Sequence, residues 1–142
     1  MTDKRFYFEK VIASPSQKQL LFKFLRERKY KISHSLLPDE GEHNKFVEKN
    51  PYREWYIVKE NKKGIGSFYI QYNNSIGINL NKQSQNCVEE IINFIKVNFI
   101  PQPKTLSKIP PYFYINIPSK NIELQSILDE MRIDQLQVSY KI

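Results

Sequence analysis

The chain has 142 residues, 40% of them hydrophobic and 26% charged, with a net charge of +7. That length and apolar content suit one globular domain, residues 1–142, with its own core, and they argue against a disordered chain. The single cysteine, Cys87, excludes an internal disulfide and a cysteine-built metal cluster, so no metal is expected.

The N-terminus, MTDKRFYFEK, is charged where a secretory signal needs an apolar stretch, and no apolar run reaches the length of a membrane span. A cytoplasmic protein without a membrane partner is expected. The positive charge favours anionic ligands, among them phosphates, coenzymes, nucleic acid and anionic sugars. The basic residues form no dense block, so a solvated basic surface explains them equally well, and a nucleic-acid partner rests on charge alone.

Arg5–Ile12 reads as a first strand, with Phe6, Phe8 and Ile12 alternating with charge. Ser14-Pro15-Ser16-Gln17 opens a helix, with Ser14 as N-cap and Gln17 at the third position. Leu20, Leu21, Phe24 and Leu25 form its apolar face, and the basic run Arg26–Lys31 suits the negative end of its dipole. Ile32–Pro38, which contains His34, connects to a second helix over Asp39–Lys49 that carries His43, Phe46 and Val47. Arg53–Glu60 is strand two, with Arg53, Trp55, Ile57 and Lys59 on one face and Glu54, Tyr56 and Val58 on the other. A turn at Asn61–Gly64 leads to strand three, Gly64–Tyr72. A second turn at Asn73-Asn74 leads to strand four, Ser75–Asn81.

The polar loop Asn81–Asn86 then feeds a strongly periodic helix in which Val88, Ile91, Ile92, Ile95 and Phe99 share a face. Asn86, with Glu89 three residues on, has the arrangement of a capping box. Four prolines, Pro101, Pro103, Pro110 and Pro111, mark a linker or lid. Tyr112–Ile117 reads as a fifth strand. Ser119 or Asn121 caps a fourth helix that runs to about Met131, with Ile122, Ile127 and Leu128 apolar. Gln135–Ile142 alternates Leu136, Val138, Tyr140 and Ile142 as a sixth strand. The order βααβββαβαβ describes an α+β domain, a mostly antiparallel central sheet flanked by helices.

That order, with the segments EHNKFVEKNPYREWYIV, IGSFYI, SIGINL and NIPSKNIELQSILDEM, resembles the GCN5-related N-acetyltransferase superfamily and its acyl-CoA N-acyltransferase fold. Within it the chain is similar to members that acetylate amino groups on sugar-nucleotide precursors of surface glycans. The resemblance implies an acetyl-CoA-dependent N-acetyltransferase acting on a small amine such as an amino sugar. It implies strands four and five that splay apart, so that Gly77, Ile78, Asn79 and Leu80 pair with the pantetheine arm. It places the pyrophosphate on the loop carrying Asn81, Lys82 and Asn86, with Asn116 and Asn121 as further coenzyme contacts. On the acceptor side it implies Glu54 and His43 as catalytic candidates, with Arg53, Trp55 and Tyr69 as substrate contacts. The alternatives are a salt-bridged Glu54, a surface His43, a structural Trp55 and an Asn121 that only caps a helix.

Three positions differ from the family pattern. The loop NKQSQNC has no glycine, Leu128 stands where a helix-four tyrosine often protonates the leaving thiolate, and Arg132 replaces a helix-ending glycine. Tyr69, Tyr112 and Tyr114 are candidate replacements for the acid. The glycine-free loop also supports an alternative: a non-catalytic binding or partner protein of the same fold that has lost its coenzyme phosphate loop.

Overall fold

The computed structural model describes residues 5–28, 38–103 and 109–142. His34 and most of the Ile32–Pro38 connector lie outside the described residues. The elements run β1 (Phe6–Lys10), α1 (Pro15–Glu27), α2 (Glu40–Glu48), β2 (Glu54–Glu60), β3 (Lys63–Ile70), β4 (Ser75–Leu80), α3 (Gln85–Asn98), β5 (Tyr114–Ile115) and α4 (Ile122–Glu130).

Local chemistry sets the helix starts. Ser14 Oγ accepts from the Gln17 amide, and Gln17 Oε1 accepts in return from the Ser14 amide, so two otherwise orphaned donors are satisfied. Buried Gln17 also donates to Glu9 and to the Lys10 carbonyl, which ties the start of α1 to β1. The Asp39 carboxylate accepts from the Glu42 amide at 2.7 Å and caps α2.

The five strands lie in the order β1-β2-β3-β4-β5. The first three pairings are antiparallel and the last, β4 with β5, is parallel. Asn61 and Lys62 both take left-handed backbone angles, φ 49° and 72°, which is the twist a two-residue hairpin needs. Gly66 is required by close approach: a Cβ there would stand 2.2 Å from the Asn79 carbonyl oxygen.

The next turn centres on Asn74, which is fully buried at φ 73°. Its Nδ2 donates to the carbonyls of Gln102 and Pro110, its Oδ1 accepts from the Gln102 amide, and its own carbonyl accepts from the Tyr114 amide. One side chain thus fastens both the segment after α3 and the approach to β5 onto the β3–β4 hairpin.

The sheet is covered on both faces. On one, Val88, Ile91, Ile92 and Ile95 of α3 and Leu124, Ile127 and Leu128 of α4 bury Phe68, Ile70, Ile76 and Ile78. On the other, Leu21 and Phe24 of α1 and Val47 of α2 bury Trp55 and Ile57.

The α+β fold and the first four strands match the sequence expectation. Five details differ. The cap of α3 is Ser84, whose Oγ accepts from the Cys87 amide, and Asn86 lies inside the first turn. The fifth strand shrinks to Tyr114–Ile115. The sixth strand is absent: Gln135–Ile142 is without secondary structure and exposed. In α4, Leu124 takes the core position expected of Ile122, which is exposed. Arg53 leaves the Trp55 face, and its guanidinium stands 5.9 Å from the Phe99 ring centroid on the α3 side. Arg53 precedes the first residue of β2, so strand alternation does not constrain it.

Candidate functional site

Strands β4 and β5 pair at only two positions, Ser75 with Tyr114 and Ile76 with Ile115. β5 ends there, so among the described residues no strand pairs with the outer side of Gly77–Leu80, which leaves room for the expected divergence. The ladder decides which backbone groups face the opening. Gln71 donates to the Ser75 carbonyl and Asn81 to the Ile65 carbonyl, so odd-numbered β4 residues bond to β3. By alternation the backbone of Ile78 and Leu80 turns toward β5, where no strand meets it. Gly77 and Asn79 turn theirs toward β3.

One cross-strand row leads to this opening. Trp55 pairs with Tyr69, and Tyr69 with Gly77, so the three share the α1/α2 face. The Tyr69 ring lies directly across Gly77: a Cβ there would meet its Cζ at 2.1 Å and its hydroxyl oxygen at 2.5 Å. Only glycine leaves room for that ring, and the result is a tyrosine hydroxyl resting over β4 at the opening. Tyr69 is stacked flat on Tyr52, with centroids 4.0 Å apart, and Tyr52 meets the edge of Trp55 at 5.0 Å. Phe46 of α2 closes the aromatic wall against both Tyr52 and Trp55. Burial, with Tyr69 beside it, raises the Tyr52 pKa, so Tyr52 stays neutral. The Trp55 Nε1 hydrogen is buried and has no partner among the described residues.

Glu54 and His43 are not brought together. Glu54 pairs with Ile70, and Ile70 with Ile76, a row on the α3/α4 face. Its carboxylate stands 3.6 Å from Lys10 Nζ and accepts from the Tyr56 hydroxyl at 3.5 Å. His43 is buried on α2, its ring 5.2 Å from that of Phe22, and its Nε2 has no partner. Burial depresses its pKa, opposed by the Lys18 backbone and by Glu40. Arg53 Nη1 is likewise buried without a partner, on the far side of the sheet from Trp55 and Tyr69.

The loop after β4 is held by side chains. Lys82 Nζ contacts Glu60 Oε1 at 3.1 Å, and Glu60 also binds Arg5. These bonds, led by that to Lys82, keep the Glu60 pKa below the usual glutamate value. Asn81 Nδ2 donates to Glu27 at 3.3 Å. Gln83 Nε2 donates to Asn121 Oδ1, which also accepts from the Leu124 amide as the α4 cap. Asn121 therefore joins the two helix starts, while Asn116 is exposed. In α3, Ser84 satisfies the Cys87 amide through its side chain and the Val88 amide through its carbonyl. That leaves the first-turn amides of Gln85 and Asn86 without an intrahelical acceptor. Cys87 is buried, with its thiol pKa pushed up to about 12 by desolvation first and by Glu90 and Glu60 next. It is inert as a nucleophile.

Leu128, at the position of the family's helix-four tyrosine, is buried in the main core. Arg132 takes the left-handed conformation expected of the glycine it replaces, at φ 59°, and the Ile133 amide bonds back to the Leu128 carbonyl. Sequence reasoning missed Tyr52 and Gln83. Tyr52 falls between Pro51, which closes helix two, and strand two, and only the stack on Tyr69 reveals it. Gln83 reads as one polar loop residue among several.

No protein-family model matches the sequence, and no curated protein matches it. Solved structures do. The chain is similar to a possible acetyltransferase from Clostridium difficile 630, at 10% identity and a TM-score of 0.54, over 98% of this chain and 99% of that one. It is similar also to an aminoglycoside acetyltransferase from an uncultured soil metagenomic sample, solved in complex with trehalose, at 13% identity and a TM-score of 0.57, over 99% and 96%. The same enzyme in complex with sisomicin gives 11% identity and a TM-score of 0.52, over 97% and 95%. The shared property is the fold: the chain has the α+β architecture of these acetyltransferases. Among the described residues no helix is long and apolar enough to cross a membrane.

Proposed function

We propose that the protein is an acetyl-CoA-dependent N-acetyltransferase acting on a small amine such as an amino sugar. The observation that carries this reading is the unpaired outer side of β4 beyond Ile76, beside an α3 start whose Gln85 and Asn86 amides have no intrahelical acceptor. A pantetheine arm is an extended amide chain, and the free backbone of Ile78 and Leu80 suits it. The Gln85 and Asn86 amides suit a pyrophosphate, with the positive end of the α3 dipole behind them. Lys82 adds charge to this loop, shared with Glu60. The residues present therefore fit the coenzyme, which when bound would supply an activated acetyl group.

The chain's own residues then have definable tasks. The wall of Phe46, Tyr52, Trp55 and Tyr69 offers aromatic surface to a sugar or other small substrate. The Tyr69 hydroxyl lies over Gly77 at the opening and is the candidate acid in place of Leu128. Glu54 and His43 remain candidate proton acceptors, on opposite sides of the sheet. Of the three, Tyr69 has the support of position.

A second reading has its own observation. The loop at the cleft is glycine-free, Lys82 is already ion-paired, and Gln83 bridges to Asn121 across the two helix starts. A fold so fastened also suits a binding protein without coenzyme. A thermal shift with acetyl-CoA separates the two. Saturation at a hundred times Kd adds about 2.7 kcal/mol of stability, a shift of several degrees. Thiol release with an amine acceptor then tests turnover, and the inert Cys87 gives little background. No shift at millimolar acetyl-CoA would favour the binding protein.

A further inference from the structure

The C-terminal segment has the pattern of a strand and no strand to join. Leu136, Val138, Tyr140 and Ile142 recur at every second position, and each is at least 60% exposed. Gln135, Gln137, Ser139 and Lys141 alternate with them. Four large apolar side chains in a row on the solvent side are expensive to leave uncovered.

One sheet edge has the complementary form. β5 is the last strand of the sheet, and among the described residues only β4 pairs with it. Phe113, Ile115 and Ile117 alternate along it, half-buried against the main core. Edge strands that must stay alone are guarded by charge, by inserted proline or by a bulge. Tyr112–Ile117 has no charged residue, and its prolines, Pro111 and Pro118, stand only at its two ends. The free run between them is six residues long, a length that Leu136–Lys141 matches. Pairing the two would bury no carboxylate and set no like charges opposite each other.

We propose that residues 135–142 of a second copy of this chain add to the outer edge of β5, and that the exchange is mutual. Leu136, Val138 and Tyr140 of the one copy then continue the apolar face begun by Phe113, Ile115 and Ile117 of the other. The chain's own segment does not cover this edge. A two-fold exchange satisfies both copies with one kind of contact and leaves no growing end. It also braces β5, the strand that forms one side of the cleft.

Sedimentation velocity of the full chain over a wide concentration range tests this. The full chain should sediment as a dimer. A chain shortened to end at Asp134 should sediment as a monomer with an unchanged far-ultraviolet spectrum, since it loses only exposed residues. Val138→Lys should act in the same direction without shortening. Hydrogen exchange at the Val138 and Tyr140 amides should be about tenfold slower or more in the dimer than in a dilute monomer. A full chain that stays monomeric overturns the proposal, and protected amides in that monomer would show the segment folding onto its own β5. A dimer that survives the shortening, or one in which those amides exchange freely, places the interface elsewhere and overturns it as well.

Discussion

The two faces of the sheet are built on different rules. Beneath α3 and α4, aliphatic side chains and the rings of Phe8, Tyr56 and Phe94 close around Phe68, and the buried amides of Asn74 and Asn121 each have several partners. Beneath α1 and α2 a smaller layer of Leu21, Phe24, Val47, Trp55 and Ile57 packs, and two buried polar atoms, His43 Nε2 and Trp55 Nε1, have no partner among the described residues. Arg53 Nη1 is the exception on the α3 side, and it stands at the rim over Phe99. A buried group without a partner costs about 1–3 kcal/mol. The first face therefore holds more of the molecule together, and the second gives up stability at its two unpartnered atoms, of which Trp55 Nε1 belongs to the row that leads through Tyr69 to Gly77.

Deleting a ring from each face sets the largest contrast. Phe68→Ala should cost about 3–5 kcal/mol in urea unfolding, because Phe68 is wholly enclosed. Phe46→Ala, at a ring 42% exposed, should cost less than about 1.5 kcal/mol. Equal losses would erase the distinction between the faces.

The second test concerns the row that ends at the cleft. Gly77→Ala should cost about 1–3 kcal/mol through overlap with the Tyr69 ring. In a Tyr69→Ala background the same change should cost much less. Additive losses in the double-mutant cycle would mean that the ring does not lie where the structure puts it.

How much of this was legible beforehand depended on distance along the chain. The α1 start was, because Ser14 and Gln17 are close neighbours that satisfy each other. The cap of α3 was not, because Ser84 and Asn86 are both able caps, and Glu89, which would have served Asn86, instead accepts from Gln85. The sixth strand had the right period, but a strand also needs an edge, and no local pattern reveals whether one is free. At the site, the glycine of SIGINL and the unpaired outer side of β4 were legible through a family resemblance. The Tyr52–Tyr69 stack was not, since it forms between a residue outside the regular elements and a strand seventeen positions on. Alternation did set Glu54 on the face away from Trp55, but it does not show that Lys10 meets it there.

A smaller effect should appear with pH. The folded-state pKa of His43 lies below its ordinary 6.5 because of burial. Above pH 6.5 the ring is neutral in both states and stability is unaffected. As pH falls below 6.5 the unfolded chain takes up the proton first, and stability declines until the folded pKa is passed. His43→Gln should flatten this slope between about pH 6.5 and 5, where carboxylates contribute little. An unchanged slope would mean that His43 is not held neutral.

The smallest effect belongs to Lys82. Lys82→Ala should change stability by less than about 1 kcal/mol, since its ammonium is mostly exposed and Glu60 keeps Arg5. Its influence should instead show on acetyl-CoA affinity, more at low salt than at high. Affinity indifferent to Lys82 would assign the phosphate contacts to backbone amides alone.

The bonds of Asn74 also set an order of assembly. β1 excepted, the antiparallel strands follow one another through short turns, and their contacts close small loops. Asn74 reaches Gln102 and Pro110 across 28 and 36 residues, so the chain entropy of those closures must be met before β5 gains anything in return. The wall of the cleft should therefore dock late, after the hairpins exist. Substitution of Asn74 by Ala should speed unfolding while leaving the refolding rate almost unchanged, and a slowed refolding limb would put Asn74 in the nucleus instead.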